Sequence, residues 1–203
     1  MKTKNQLLYT LPVILAPLLY GVAVYSRLPE RMASHWGFNN QVNGTMARPF
    51  VVFGLPLLMV VVQLIIVGAT AYASRHGEQA VRAERVLIWI IPVVTVVAYL
   101  TTLQINLGQA LDLRRIVVLL VAAIFMTVGN YLPTVPAQYQ RQPAWLQRRR
   151  SPAAWRRSTR RLGYAMVGGG GLLLLSLLFP AWASTAALVV TLIAITSLSM
   201  IPA

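Results

Sequence analysis

The chain has 203 residues, 57% of them hydrophobic and only 11% charged, with a mean hydropathy of +0.65; that exceeds what a water-soluble core needs and excludes an ordinary soluble domain. The net charge of +14 comes from 18 Lys+Arg against 4 Asp+Glu and would suggest nucleic acid in a soluble protein. Here the cations flank apolar runs, where they meet anionic headgroups, so direct nucleic-acid binding is not expected. The lack of cysteine removes disulfides, thiolate metal sites and cysteine nucleophiles together.

A helix crossing a hydrocarbon layer of about 30 Å needs roughly 20 apolar residues, and six such stretches follow one another. The first, 7–25, lies behind Lys2 and Lys4. It is longer than the roughly 7 to 15 residues of a signal core and no A-x-A site follows, so it reads as a retained span. A polar island, 28–49, comes next. The remaining spans are read at 50–73, 86–105, 116–132, 162–178 and 183–200, with a second polar stretch, 134–161, between the fourth and fifth. Continuous hydrophobicity without alternation favours helices over a barrel. The expected fold is therefore all-α, a polytopic membrane bundle of about six transmembrane helices. Two units are expected: 1–73, a helix pair carrying loop 28–49, and 74–203, four helices carrying the basic loop 134–161. Pro12, Pro17, Pro56, Pro92 and Pro180 can kink the spans. The glycines at 168–171 let another helix approach closely, and no Lys-Ser/Thr follows them to make a phosphate loop.

Orientation follows from the cations. Lys2, Lys4, Arg75, Arg82, Arg85, Arg141, Arg148, Arg149, Arg150, Arg156, Arg157, Arg160 and Arg161 fall on one side of the spans; Arg27, Arg31, Arg48, Arg114 and Arg115 fall on the other. The positive-inside rule then places both termini and 134–161 in the cytoplasm and the 28–49 island outside.

In the island, His35 and Trp36 precede Asn39, Asn40 and Gln41, and Asn43-Gly44 is expected to make a tight turn because both residues tolerate positive φ. Trp36 and Phe38 suit the headgroup level. Arg48, next to the helix-starting Pro49, can reach lipid phosphates from the rim. Glu30, Arg31 and His35 form either an ion-responsive cluster or a setting in which His35 staples the loop through a neighbouring group. Neither a metal nor a cofactor is expected: His76 falls on the opposite side from His35, and Glu30, Glu78, Glu84 and Asp112 are scattered. No span holds an ionisable residue of the kind that marks a proton path; Gln63, Thr95, Tyr99, Thr101, Thr102, Gln104, Thr127, Asn130 and Tyr164 read as interhelical hydrogen-bonding groups. No nucleophile, base and orienting acid fall on one side, so the chain is not expected to be an enzyme. On the inner side, Arg141, Trp145, Arg148, Arg149, Arg150, Trp155 and Arg160 read as an amphipathic stretch on anionic lipid, or as a docking surface for an acidic cytoplasmic partner.

Pro29, His35, Trp36, Asn43, Gly44 and Arg48 together resemble the outer loop of the SdpI family of bacterial membrane proteins. There a proline precedes a His-aromatic pair, and an Asp-Gly or Asn-Gly with a basic residue behind it begins eight residues after the histidine, in an N-terminal domain of unknown function. A second likeness runs from Gly129, Asn130, Tyr131, Leu132 and Pro133 through Pro136, Tyr139, Arg141, Pro143, Trp145 and Trp155 to Arg160, Leu162 and Gly163. It departs from the family in having no histidine in the Thr-His-Arg-like run, where Ser158-Thr159-Arg160 or Thr159-Arg160-Arg161 stands, and in a far more basic inner segment. The resemblance implies a protein of the bacterial plasma membrane that gives immunity to a secreted, membrane-active toxin peptide. Trp36 and Phe38 would then supply apolar contact, His35, Asn39, Asn43 and Arg48 orientation, and Gly44 the bend. It also implies, as an alternative, a sensor or scaffold that retains a cytoplasmic repressor. A small transporter is a third reading.

Overall fold

The computed structural model describes residues 3–37, 39–75, 81–136 and 151–200. Among these residues the chain forms six α-helices and one antiparallel hairpin: α1 (Thr3–Ala23), β1 (Arg31–Trp36), β2 (Val42–Ala47), α2 (Leu55–Arg75), α3 (Val81–Asn106), α4 (Leu113–Tyr131), α5 (Pro152–Ser176) and α6 (Ala181–Met200). All but α5 are long and apolar enough to cross a membrane, and no more than 33% of any crossing window is buried. The outward remainder includes Leu19, Leu57, Ile65 and Val190, a surface that lipid accepts and water does not. The architecture is that of an all-α polytopic membrane protein.

The fifth helix differs from its sequence expectation. The arginines ended the apolar window at residue 162, but the helix runs back through them to Pro152, capped by Ser151, whose hydroxyl accepts from the Ala154 amide. Ser-Pro is a helix start because the serine takes an orphan N–H and proline has none to lose. Residues 152–161 are therefore helix rather than loop, and the apolar part of α5 after Arg161 is shorter than the roughly 20 residues of a perpendicular crossing.

By contact the chain forms two compact units, Met1–Tyr72 with Leu87–Ile116, and Ala73–Val86 with Val117–Ala203. Most of the third span thus packs with the first two helices.

The reason lies in two prolines. Pro92 has no N–H to give the Ile88 carbonyl one turn earlier, and the buried Gln63 amide of α2 donates to that carbonyl at 3.0 Å. Pro56 leaves the Val52 carbonyl in the same condition, and the Tyr99 hydroxyl of α3 donates to it at 3.0 Å. Each helix repairs the other's gap. Val52 lies in a wide π turn, Phe50–Gly54, that opens α2. Tyr99 reaches it across Gly21 of α1, where a Cβ would stand 2.1 Å from the tyrosine oxygen. Val24, Leu28, Met32, Val51, Val52, Tyr99 and Leu103 form the core around this crossing. A small apolar cleft between α2 and α3 is lined by Leu55, Met59, Val94, Ala98 and Tyr99, among others.

In the second unit, α5 runs antiparallel to both α4 and α6, with Val118, Ala122, Leu173 and Ala187 at the centre. Two of the four consecutive glycines do what their run implies: a Cβ on Gly169 would lie 2.1 Å from Thr191 of α6, and one on Gly170 would lie 2.6 Å from Met126 of α4. Gly168 and Gly171 face open space.

Candidate functional site

The polar island folds as a β-hairpin on the first unit. Leu28 is extended, φ −81° and ψ 144°, as a residue before proline must be, and Pro29 ends the helical turn at Tyr25–Arg27. β1 and β2 then pair from Arg31↔Ala47 to Trp36↔Val42, with irregular register around His35. The turn is not at Asn43-Gly44. It falls between Gly37 and Gln41, closed by the Gly37 amide to the Gln41 carbonyl at 2.8 Å, with Asn40 at φ 63°, the left-handed region that asparagine tolerates. Asn39 accepts the Gln41 amide at 3.3 Å. Gly44 sits inside β2 and serves a different need: a Cβ there would stand 3.0 Å from that of His35. The strands lie close at this point, and a side chain here would require His35 to give by a few tenths of an ångström.

Three contacts fix the hairpin. At its base, Arg48 turns inward, donating to the carbonyls of Leu28 at 2.9 Å and Tyr25 at 3.3 Å, with its guanidinium 4.5 Å from the Tyr25 ring centre. It locks the end of α1 to the start of α2 rather than reaching out to lipid phosphate. Along the β1 edge, Asn106 at the end of α3 acts as a third strand: its Oδ1 accepts from the Ala33 amide at 2.8 Å and its Nδ2 donates to the Ala33 carbonyl at 3.0 Å. At the tip, Asn40 donates to Asp112 at 2.8 Å and accepts the Arg114 amide at 2.8 Å. Beneath all three, Met32 is fully buried in the core.

Asp112 opens α4: its carboxylate accepts the Arg115 amide and pairs with the Arg115 guanidinium at 3.0 Å. The Asn40 hydrogen bond holds its pKa below the ordinary 3.8, helped by the Arg115 amide and the Arg114 and Arg115 charges and opposed by partial burial. The sign follows. A carboxylate whose folded pKa is depressed adds stability that is complete above the unfolded value and is lost as pH falls through the folded one. The tip contact is therefore expected to be intact above pH 3.8 and to loosen below it. Asn40→Ala should move the Asp112 titration back up toward its ordinary value, read from its carboxyl carbon shift against pH.

The exposed face of the hairpin carries His35, Asn39 and Asn43, with Trp36 half-buried beside them. His35 donates from Nδ1 to Asn43 Oδ1 at 2.5 Å. His35 is thus tied to Asn43 across the hairpin, and Arg31 turns to Thr45, donating to its hydroxyl at 3.1 and 3.2 Å. Phe38 lies outside the described residues. Among the described residues no three His, Asp or Glu side chains come together. Sequence reasoning missed Asn106 and the Asn40–Asp112 pair, whose partners are 73 and 72 residues apart. Asn106→Leu is expected to free the Ala33 edge and raise amide exchange across β1 at least tenfold while leaving α3 intact, because two buried-edge hydrogen bonds of about 1 kcal/mol each are lost. Unchanged exchange would show that Met32 alone anchors the strand.

At one end of the second unit the other motif is brought together. Gly129 and Gly163 pass backbone to backbone, a Cβ on either falling within 2.7 Å of the other's carbonyl oxygen, and Pro133 packs on Gly163. The Trp155 indole donates to the Val135 carbonyl at 2.9 Å, so this tryptophan faces the end of α4 and not lipid alone. Tyr131 is half-buried and Asn130 exposed. Arg156, Arg157, Arg160 and Arg161 are exposed, opposite the buried Ala154, Ser158, Thr159 and Gly163, an amphipathic start to α5. Arg141, Trp145, Arg148, Arg149 and Arg150 lie outside the described residues.

Five helices long and apolar enough to span a membrane, with a polar hairpin clamped to one end of the N-terminal unit, define the class: a multi-pass membrane protein. Within it, residues 13–60, which cover the second half of α1, the hairpin and the opening of α2, match the family model of a domain of unknown function (DUF1648). No curated protein and no solved structure matches the chain.

Proposed function

We propose that the chain is an SdpI-like immunity protein of the bacterial plasma membrane, with both termini in the cytoplasm and the hairpin outside, and that the hairpin recognises a secreted, membrane-active toxin peptide. The observation that carries this reading is the three-point fixation of the hairpin. A loop that only joined two spans would need no such clamps; one that binds gains by being ordered beforehand, since less freedom is lost on association. His35, Asn39 and Asn43 supply hydrogen-bonding groups, Trp36 supplies apolar area, and Arg48 and Gly44 position them. The matching domain at residues 13–60 supports the family reading, as does the meeting of Gly129, Pro133, Trp155 and Gly163 in one junction.

Expression in a strain sensitive to such a peptide should raise survival. Trp36→Ala should then shift the protective concentration by about 30-fold, the scale of a roughly 2 kcal/mol aromatic hot spot. Unchanged killing with the wild-type chain would remove the proposal.

The exposed arginine face of α5 favours a second reading, a scaffold that holds an acidic cytoplasmic repressor. Replacing Arg156, Arg157, Arg160 and Arg161 by glutamine should then alter gene expression and spare peptide resistance, whereas release from anionic vesicles with unaltered expression would assign that face to lipid.

A further inference from the structure

The two edges of the hairpin are treated differently. Ala33 on β1 sends both its backbone groups outward to Asn106, so Ala33 and its partner Thr45 form a non-hydrogen-bonded pair, and Thr45 must direct its own N–H and C=O away from β1. Ala47, opposite Arg31, is two residues along and does the same. Among the described residues no backbone carbonyl pairs with the outward amides of Thr45 and Ala47, the Ala47 carbonyl belongs to the helical turn that starts at Arg48, and every β2 residue but Gly44 is exposed. An open row of this kind is a template for another strand.

The chemistry beside the edge says which strand fits. Arg31 reaches across from β1 so that its guanidinium lies on Thr45, with a long 3.4 Å contact to the Thr45 carbonyl. The other described charges at this end are Arg27, Arg48, Arg114 and Arg115 against Glu30 and Asp112, four cations to two carboxylates, with Asp112 held by Asn40 and Arg115 and Arg48 by the base of the hairpin. Val42 and Met46 add apolar groups, 50% and 43% exposed. A second copy paired edge to edge would set one Arg31 against another, which opposes pairing.

We propose that the outer edge of β2 docks an extended peptide of alternating apolar and acidic residues, whose backbone pairs with Thr45 and Ala47 and whose carboxylate meets Arg31. This rests on the peptide-recognition reading above and states how the peptide is held.

The test uses the full chain in nanodiscs and three acetylated octapeptides: alternating Val and Glu, alternating Val and Lys, and the Val-Glu peptide N-methylated at every second residue. The Val-Glu peptide is expected to slow amide exchange at Thr45 and Ala47, and the other two to fail. Arg31→Gln should weaken its binding roughly tenfold, the scale of a charge-assisted contact. Thr45→Pro should abolish binding with Ala33 still protected, because the outward N–H carries no ladder bond. Equal effects from all three peptides, or none from any, would overturn the proposal and leave Arg31 a guard against edge pairing. Protection that rises with protein concentration alone would overturn it in favour of a second copy. In cells, a wild-type chain that fails to protect sinks the immunity reading, whereas a protecting wild type with a fully protecting Thr45→Pro sinks the edge alone.

Discussion

Gly129→Ala is expected to destabilise the C-terminal unit by about 1–3 kcal/mol, the range for forcing volume into a packed site. The new methyl would lie 2.7 Å from the Gly163 carbonyl oxygen and 2.7 Å from Met166 Cβ. Neither is the free end of a flexible side chain, so the helices must separate. Gly163→Ala meets the same crossing from the other side, 2.6 Å from the Gly129 oxygen. The double variant should lose less than the two singles added, since helices already pushed apart have room for the second methyl. Gly168→Ala and Gly171→Ala are the internal controls. Nothing lies within 4 Å of either new atom, and each should be neutral or gain up to about 1 kcal/mol from helix propensity. Thermal unfolding in detergent, followed by circular dichroism, separates the two classes. The same crossing places Trp155 under the Val135 carbonyl, so Gly129→Ala should also shift tryptophan emission to the red. If Gly129→Ala and Gly168→Ala behaved alike, the close approach of α4 and α5 would be wrong.

How far these features were legible depends on the range of the interaction that makes them. The helices were legible because burial in lipid asks only for a continuous apolar run, and each found element overlaps its expected span. The hairpin was not. RMASHW and VNGTMA have little alternation and few β-branched residues, so no local signal marks them as strands. What makes them strands is tertiary: Met32 in the core, and an asparagine amide 73 residues away. The Asn-Gly pair pointed to the wrong turn because its glycine answers a steric demand from His35, while Asn40 took the positive φ. The α5 start was legible in Ser151-Pro152 but masked by the arginine run. Arg48 was read outward because a rim arginine usually meets phosphate; the carbonyls at the end of α1 compete for it. Gln63 and Tyr99 were recognisable as interhelical donors and Pro56 and Pro92 as kinks. Their matching required the structure, since nothing in either residue names its partner.

That matching gives the other large effect. Gln63→Leu removes the donor to the Ile88 carbonyl, and in a bilayer no water replaces it. Side-chain hydrogen bonds between membrane helices average about 0.6 kcal/mol and reach about 1.7; the upper figure is expected here, because Pro92 has already taken away the carbonyl's own partner. Pro92→Ala restores a backbone N–H at that position. In the Pro92→Ala background Gln63→Leu should therefore lose most of its effect, the more so because it also removes Gln63 Oε1, a buried oxygen with no partner among the described residues. Pro92 is itself fully buried, so its replacement leaves a void, and the quantity to read is the coupling between the two changes rather than either alone. Tyr99→Phe with Pro56→Ala makes the second cycle: the ring stays packed, the hydroxyl bond to Val52 is lost, and alanine lets the π turn relax into a regular helix that satisfies Val52 by itself. Denaturant titration of the four proteins in each cycle measures both couplings. Equal losses from Gln63→Leu with Pro92 present and with Pro92→Ala in place would show that its amide stabilises α2 against α3 by packing, and that the prolines are kinks with no partner.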